Sequence, residues 1–223
     1  MKLVHSELSG KLLKDKTIFT EWIIESPELF ARYLQELYGQ YAKCEGKFVL
    51  SQNIKELDIS KYVEIITDPF AVDLNGRKII NKLYTELNEL SKTEMMYTKT
   101  LQLAQHIQEY LLDLESNTNH ILQFNGEMDV TGLLKTMDVK IEDCTEKFFE
   151  RLVCYIKNVI GVLSVKVFVF INLRSYLTNN QMEELIQEIT YQEVHALFIE
   201  NQERTCLKGG IRYIIDKDGC EIY

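Results

Sequence analysis

The chain has 223 residues, of which 46% are hydrophobic and 26% are charged. This composition is typical of a globular protein and excludes a disordered or low-complexity chain, which would lack the apolar surface needed for a core. The formal net charge of −9 excludes a histone-like polycation. It does not exclude nucleic-acid binding, because an acidic protein can gather its basic residues on one face.

The cysteines and the apolar stretches bear on the compartment. The five cysteines, at positions 44, 144, 154, 206 and 220, include no C-x-x-C pair. This spacing argues against a disulfide framework or a zinc ribbon and predicts reduced thiols in a cytoplasmic protein. The N-terminal residues reach Glu7 before any apolar segment forms, so we expect no signal peptide. The most apolar stretch, Val159–Leu173, is broken by Ser164 and Lys166 and falls short of a membrane span.

The first part of the chain predicts strands and one helix. Ile18–Ile24 has the composition of a strand, and Ser26 followed by Pro27 predicts a helix start with the serine as N-cap. We expect this helix to end near Tyr38, before Gly39. Two further short strands are predicted at Phe48–Leu50 and Val63–Thr67.

A long helical segment follows, because residues 77–125 contain neither glycine nor proline. Ser91 and Glu94 have the spacing of a capping box, which predicts a break between two helices. Two apolar stripes with a/d spacing run along the segment, Ile80–Leu83–Leu87–Leu90 and Leu103–Ile107–Tyr110–Leu114. We favour two long helices that pack antiparallel through these stripes. The alternative is an arm whose stripe contacts another subunit.

After this segment the pattern returns to alternating helices and strands. Val167–Ile171 is apolar at every residue, as in a central strand that is covered on both faces. The other predicted elements are an amphipathic helix over 146–162, a helix capped by Thr178 with Met182, Leu185 and Ile186 on its inner face, a strand at Val194–Ile199 and a terminal hairpin from Ile211. The sequence therefore predicts an α/β fold with a mostly parallel sheet, over 1–75 and 138–223, interrupted by a helical arm over 76–137.

Catalytic and phosphate-binding motifs are missing from the sequence. The glycines are scattered, and neither G-x-x-x-x-G-K-[ST] nor G-x-G-x-x-G occurs. Asn172, at the end of the apolar strand, lies where a magnesium-binding acid would lie in a nucleotide-binding fold, and an amide is a poor magnesium ligand. The four histidines do not pair, and no cysteine or serine has a recognisable nucleophile setting. We predict no enzymatic activity.

Acidic residues near the end of the helical segment suggest a calcium site. Asp113 and Glu115 alternate with Asn117 and Asn119 like the early ligands of a calcium loop, but the glycine and the final glutamate of an EF-hand are absent. Glu127 and Asp129 follow nearby. Oxygen ligands from these four acids, Asp113, Glu115, Glu127 and Asp129, could hold calcium. The alternative is a solvated turn in which Asp129 is a helix N-cap.

Basic residues are frequent between 135 and 166. Lys147 and Arg151 are i, i+4 neighbours on the polar side of a predicted helix, and such a strip can follow a phosphate backbone. Glu146 and Glu150 lie on the same helix, so an ordinary mixed-charge surface is an equal alternative. A second, smaller cluster comprises Lys11, Lys14 and Lys16. No aromatic residue lies between these lysines, so stacking of bases is not suggested.

The order and spacing of many short segments resemble a known family over nearly the full chain. The segments are Val63–Asp68, Asp73–Asn75, Val139–Glu142, Val167–Asn172, Tyr176–Thr178, Ala196–Glu200 and Tyr213–Asp216. Together they resemble the short form of the CRISPR-associated accessory adaptation protein of type II-A systems.

The resemblance implies a homotetrameric ring whose subunits have a helical arm and an α/β head, distantly similar to nucleotide-binding folds but without their phosphate loop. It implies that the basic inner surface of the ring encircles double-stranded DNA, loads from free ends and acts in spacer acquisition beside the integrase complex and the effector nuclease. Lys135, Lys140 and Arg151 fall where the family is also basic, whereas Lys147 is a candidate from the helical face only.

The resemblance also implies calcium as a cofactor, but this sequence departs from the family there. The corresponding segment of the family is densely acidic, and here several acids are replaced by Asn, Thr or His. Fewer carboxylates predict weaker calcium binding or none. Two other functions stay open from the residues: a nucleotide-dependent enzyme or switch on the same topology, and a protein-interaction scaffold with incidental DNA binding.

Overall fold

A computed structural model describes residues 1–15, 17–142 and 147–222. The chain divides into two compact units. The first, which we call the sheet unit, comprises Met1–Leu74 with Asp143–Tyr223, and the second, the helical unit, comprises Asn75–Glu142.

The described part of the chain forms nine strands, seven α-helices and one 3₁₀ turn. The strands are β1 (Lys2–His5), β2 (Phe19–Ile24), β3 (Phe48–Gln52), β4 (Lys55–Leu57), β5 (Val63–Ile66), β6 (Val167–Ile171), β7 (His195–Glu200), β8 (Ile211–Ile215) and β9 (Glu221–Ile222). The helices are α1 (Pro27–Tyr41), α2 (Ile59–Tyr62), α3 (Arg77–Ser91), α4 (Glu94–Ser116), α5 (Val130–Thr136), α6 (Phe148–Leu163) and α7 (Asn179–Tyr191), with a 3₁₀ turn at Leu173–Ser175.

The sheet unit is built on a six-stranded sheet in the order β5-β6-β7-β2-β8-β9. Neighbouring strands from β5 to β8 are parallel, and only β9 is antiparallel to its neighbour β8. All five residues of β6 are buried, as predicted for a central strand. The prediction of an α/β fold with a mostly parallel sheet is therefore confirmed.

A second, antiparallel sheet of order β1-β3-β4 covers one side of the core. Strands β1 and β4 were not predicted from the sequence. Leu3 pairs with Leu50 across β1 and β3, and both side chains are buried together with Trp22, Leu37 and Tyr213. This apolar cluster unites β1, β2, β3, β8 and α1 in one core.

Helix α1 begins as predicted and ends later. The hydroxyl of Ser26 accepts a 3.5 Å hydrogen bond from the Leu29 N–H at its N-terminus. The predicted end at Gly39 is wrong, because the helix continues to Tyr41 and the chain turns only at Lys43, which has a φ of 68°. Burial of Leu37 and packing of Tyr41 on the core favour the longer helix, and an interior glycine costs only about 1 kcal/mol.

The remaining predicted elements of the sheet unit are present. Thr178 and Gln181 form a full capping box at the start of α7, and Met182 and Leu185 are buried. The terminal hairpin is formed by β8 and β9. Helix α6 begins at Phe148 in the structure, and residue 146 of the predicted helix lies outside the described residues.

The helical unit has its helix break near the predicted position, but not through the predicted capping box. The Ser91 hydroxyl donates to the Asn88 carbonyl at 2.7 Å, and Thr93 is the N-cap of α4. Tyr84 is buried in α3, and its hydroxyl donates to the Val139 carbonyl at 2.9 Å. Asn75 makes two hydrogen bonds with the backbone of Ile141.

Helix α4 contradicts the favoured packing of the two stripes. None of its residues is buried in the chain. Leu103, Ile107, Tyr110 and Leu114, which we call the α4 stripe, are 36–62% exposed. The prediction that this stripe packs within the chain is therefore wrong, because the unit presents no apolar surface that covers it.

Candidate nucleic-acid interface

Two of the predicted DNA contacts lie at the start of α6 in the sheet unit. Lys147 is the exposed N-cap residue, and its Nζ lies 3.1 Å from a carboxylate oxygen of Glu150. Arg151 follows one turn later, and its Nη2 donates a 2.7 Å hydrogen bond to the carbonyl oxygen of Phe70. Its Nε is buried and has no acceptor among the described residues. Arg151 therefore also holds the loop that follows β5.

The other two predicted contacts lie in the helical unit. Lys135 is exposed in the last turn of α5. Lys140 is exposed and forms an ion pair with Asp138, and this hydrogen bond raises the pKa of the Lys140 ammonium. Each unit thus presents an exposed lysine from the predicted set, and the DNA-binding assignment of all four residues stays a prediction.

Other basic residues of the region already have structural partners. Lys157 forms an ion pair with Glu188 at 3.1 Å. Lys166 donates to the side-chain oxygen of Gln52 at 2.8 Å. Lys16 of the smaller predicted cluster lies outside the described residues. Lys11 and Lys14 of that cluster are exposed.

An aromatic cluster that was not predicted from the sequence lies beside Arg151. The Phe70 ring stacks on Phe148 with centroids 4.5 Å apart and meets Tyr176 edge-on at 5.2 Å. Phe70 is 51% exposed and Tyr176 is 48% exposed. We call these three residues the aromatic cluster. The sequence signal was indirect: Phe70 and Tyr176 follow β5 and β6, and parallel neighbours end at the same edge of a sheet.

The loop that carries Phe70 borders a cleft at this edge. The cleft measures about 290 Å³ and is lined by residues 65–68 and 71–73 and by Tyr155. The Tyr155 hydroxyl donates to Glu64 at 2.8 Å, and the Tyr41 hydroxyl donates to the other oxygen of this carboxylate at 3.1 Å. Burial and the adjacent Glu64 carboxylate raise the pKa of Tyr155, so it is a hydrogen-bond donor rather than a base.

The carboxyl edge of the sheet does not offer nucleotide chemistry through Asn172 or Asp68. The Asn172 side-chain oxygen accepts a 3.1 Å hydrogen bond from the Asn201 N–H, so this amide links the ends of β6 and β7. The Asp68 carboxylate accepts from the Phe70 N–H at 2.9 Å. Both side chains therefore shape loops, and neither contact supports the alternative of a nucleotide-dependent enzyme.

A buried charge network lies inside the sheet unit. Glu21 is 2% exposed and accepts hydrogen bonds from the guanidinium groups of Arg174 and Arg212. Glu200 is 1% exposed and accepts a 3.1 Å hydrogen bond from the Arg174 backbone N–H. Burial raises the pKa of Glu200 to about 7. The network joins β2, β7, β8 and the 3₁₀ turn after β6.

The four predicted calcium ligands do not assemble into one site. In the described part of the chain, no group of three or more His, Cys, Asp or Glu side chains is placed to hold a metal ion. Asp113 and Glu115 lie two positions apart on α4, and this spacing points side chains to different faces of a helix. Glu127 and Asp129 line a cavity that Lys92 also lines. These residues do not fit a calcium site within one chain, and calcium binding stays a prediction.

The state of the cysteine thiols and the apolar character of the helices can be compared with the predictions of reduced thiols and of no membrane span. Cys44, Cys206 and Cys220 have free, exposed thiols. Cys154 is disulfide-bonded, so the prediction of reduced thiols is wrong for this residue. Among the helices that the structure describes, none combines the length and the apolar character that crossing a bilayer requires.

The fold and the surfaces define a class: a parallel-sheet α/β protein without a phosphate loop, joined to a helical unit with an unburied apolar stripe. The family model described as CRISPR-associated protein (Cas_Csn2) matches residues 40–219. The chain therefore belongs to the Csn2 family of CRISPR-associated proteins, and this membership implies a role in CRISPR adaptation.

Two relatives support the assignment along almost the whole chain. The CRISPR-associated protein Csn2 of Streptococcus agalactiae is 27% identical over 210 residues, which cover 93% of this chain and 90% of the relative. The CRISPR-associated protein Csn2 of Enterococcus faecalis is 28% identical over 224 residues, which cover 98% of this chain and 96% of the relative.

Proposed function

We propose that this chain is a non-enzymatic protein that binds double-stranded DNA without sequence preference. It assembles as a homotetrameric ring, loads from DNA ends and acts in spacer acquisition beside the CRISPR integrase complex and the effector nuclease. Family membership supports the pathway, and the exposed α4 stripe is the observation that carries the assembly.

The α4 stripe supports subunit assembly because it is a row of four exposed apolar side chains on one helix. Leu103, Ile107, Tyr110 and Leu114 follow a/d spacing, and all four are exposed in the single chain. Such a seam is typically covered by a second helix. A homotetramer supplies that helix from a neighbouring copy.

Charge separation supports DNA binding by an acidic chain. Each chain carries −9, and four chains carry four times this charge, so a ring that binds DNA must turn its lysines inward and its acids outward. Lys135, Lys140 and Lys147 are exposed and available for such a lining. Contacts to phosphates alone carry no sequence information, which explains binding without sequence preference.

A ring that loads from ends makes a topological prediction. We expect light scattering after size-exclusion chromatography to give the mass of a tetramer, and we expect the protein to shift a linear duplex but not the same sequence closed into a covalent circle. Linearising the circle with a restriction enzyme should restore the shift. Equal binding to both forms, or a monomer in solution, contradicts the proposal. Running the measurement with and without calcium tests whether the ion favours assembly.

A further inference from the structure

We propose that the aromatic cluster, Phe70, Phe148 and Tyr176, binds an unpaired base at the end of a DNA duplex. The inference rests on the proposed DNA binding and adds a contact for a single-stranded overhang that the family assignment does not supply.

The rings of the cluster are available for stacking. Phe70 is 51% exposed and Tyr176 is 48% exposed, although each contacts another ring. A half-exposed pair of rings on a folded surface leaves apolar area that a planar base can cover. Every base has a π-face, so this contact is compatible with binding that ignores sequence.

The cluster is held in place before any ligand arrives. The Asp68 carboxylate accepts from the Phe70 N–H at 2.9 Å, and Arg151 donates to the Phe70 carbonyl at 2.7 Å. Phe148, the first residue of α6, supports the Phe70 ring with a centroid distance of 4.5 Å and an interplanar angle of 27°. Tyr176 follows the 3₁₀ turn after β6, and its N–H donates to the Leu173 carbonyl at 3.0 Å. A fixed platform loses little entropy on binding.

The charges around the cluster favour a base over an isolated phosphate. Among the described residues, Lys147 and Arg151 lie beside Phe148 and Phe70, Arg204 donates to the Ser175 hydroxyl at 3.2 Å beside Tyr176, and Glu150 and Asp68 are anions of the same region. Lys147 is paired with Glu150 at 3.1 Å and the Arg151 guanidinium donates to the Phe70 carbonyl, so these cations already have partners within the chain. The stacking contribution should therefore depend little on salt, whereas binding to the duplex phosphates should fall steeply with salt.

The position of the cluster also favours DNA over a free nucleotide. The chain has no phosphate loop, so a polyphosphate lacks the backbone N–H groups that usually hold it. The cluster instead lies next to two residues of the predicted DNA-binding set, Lys147 and Arg151. If Lys147 and Arg151 hold the duplex phosphates, an unpaired base at the duplex end can reach the rings. No additional phosphate-binding site is then needed.

The test compares a blunt duplex with the same duplex carrying a short oligothymidine overhang, using the full chain and fluorescence anisotropy. We expect the wild-type protein to prefer the overhang on the order of tenfold. Phe70→Leu and Tyr176→Leu keep an apolar side chain without a π-face, and they should lose this preference while their affinity for the blunt duplex is unchanged. Tyr176→Phe keeps the ring and should retain the preference.

A second readout detects the stack itself. An overhang that contains 2-aminopurine should lose fluorescence on binding to the wild-type protein and to Tyr176→Phe, but not to Tyr176→Leu. Equal affinity of the wild-type protein for both duplexes, or an overhang preference that survives both leucine variants, overturns the stacking site and leaves the proposed duplex binding intact. Failure to bind either duplex overturns both.

Discussion

At the scale of single residues, two buried carboxylates of the sheet unit have different hydrogen-bond partners. Glu21 accepts from two guanidinium groups, those of Arg174 and Arg212. Glu200 accepts from the Arg174 N–H, and its second oxygen is buried without a partner among the described residues. Burial therefore dominates at Glu200 and raises its pKa to about 7. The neutral form of this side chain is therefore favoured in the folded state below about pH 7.

The raised pKa of Glu200 makes stability depend on pH. Between about 4.5 and 7 the folded state holds a proton that the unfolded state has released, so the free energy of unfolding falls as pH rises through this window. Glu200→Gln keeps an acceptor for Arg174 and removes the titration. We expect the variant to match the wild type below this window and to be more stable above it by about 1–3 kcal/mol. Urea denaturation on both sides of the window measures this difference.

A matched control separates burial from a general charge effect. Glu184→Gln makes the same change on the exposed side of α7. It should leave the free energy of unfolding within about 0.5 kcal/mol of the wild type at either pH. If the difference in the free energy of unfolding between Glu200→Gln and the wild type is the same above the window as below it, the pKa of Glu200 is not raised in the folded state.

At the scale of elements, the starts of α7 and α4 give a comparison of threonine caps. Thr178 accepts from the Gln181 N–H at 3.3 Å, whereas the Thr93 hydroxyl donates to Leu90 and makes no capping bond. Thr178→Ala should lower the free energy of unfolding by about 1 kcal/mol, because an orphan N–H loses its acceptor. Thr93→Ala should have a smaller effect. Chemical denaturation of both variants checks the order, and equal losses would contradict it.

The same elements show what the sequence could and could not predict. The buried strand at Val167–Ile171 and the helix cap at Thr178 are each determined by residues that are adjacent in sequence. Both were predicted, and the structure confirms both. The aromatic cluster was missed because Phe70, Phe148 and Tyr176 are distant in sequence and meet only through the parallel order of β5 and β6. Periodicity also could not decide what covers a stripe, since an a/d pattern fits both an internal and an intermolecular partner.

The α4 stripe provides a prediction about assembly. Ile107→Lys places a charge on the stripe and should dissociate the tetramer, as measured by light scattering. The helix content should be unchanged in circular dichroism, because no residue of α4 is buried in the single chain. Gln102→Lys adds the same charge on the polar side of α4, with His106 and Glu109, and should leave the mass unchanged. A tetramer that survives Ile107→Lys would place the subunit contact elsewhere.

At the scale of the whole molecule, an acidic protein that holds DNA through a basic lining must show strong salt dependence. The logarithm of the association constant should fall linearly with the logarithm of the salt concentration, with a slope of about −0.9 for each phosphate contacted. Lys135→Gln and Lys140→Gln should each weaken binding to any duplex sequence and reduce the slope by about one contact per binding chain. Lys140 first has to leave its ion pair with Asp138, but this pair is exposed and contributes little.

Arg151 is a poorer test of phosphate contact than these lysines, because its replacement also releases the Phe70 loop. Lys217→Gln removes the same charge from the exposed β8–β9 turn, outside the predicted set, and should leave the slope unchanged. If all three glutamine variants keep the wild-type slope, the lysines do not contact phosphates, and a scaffold with incidental DNA binding becomes the better description.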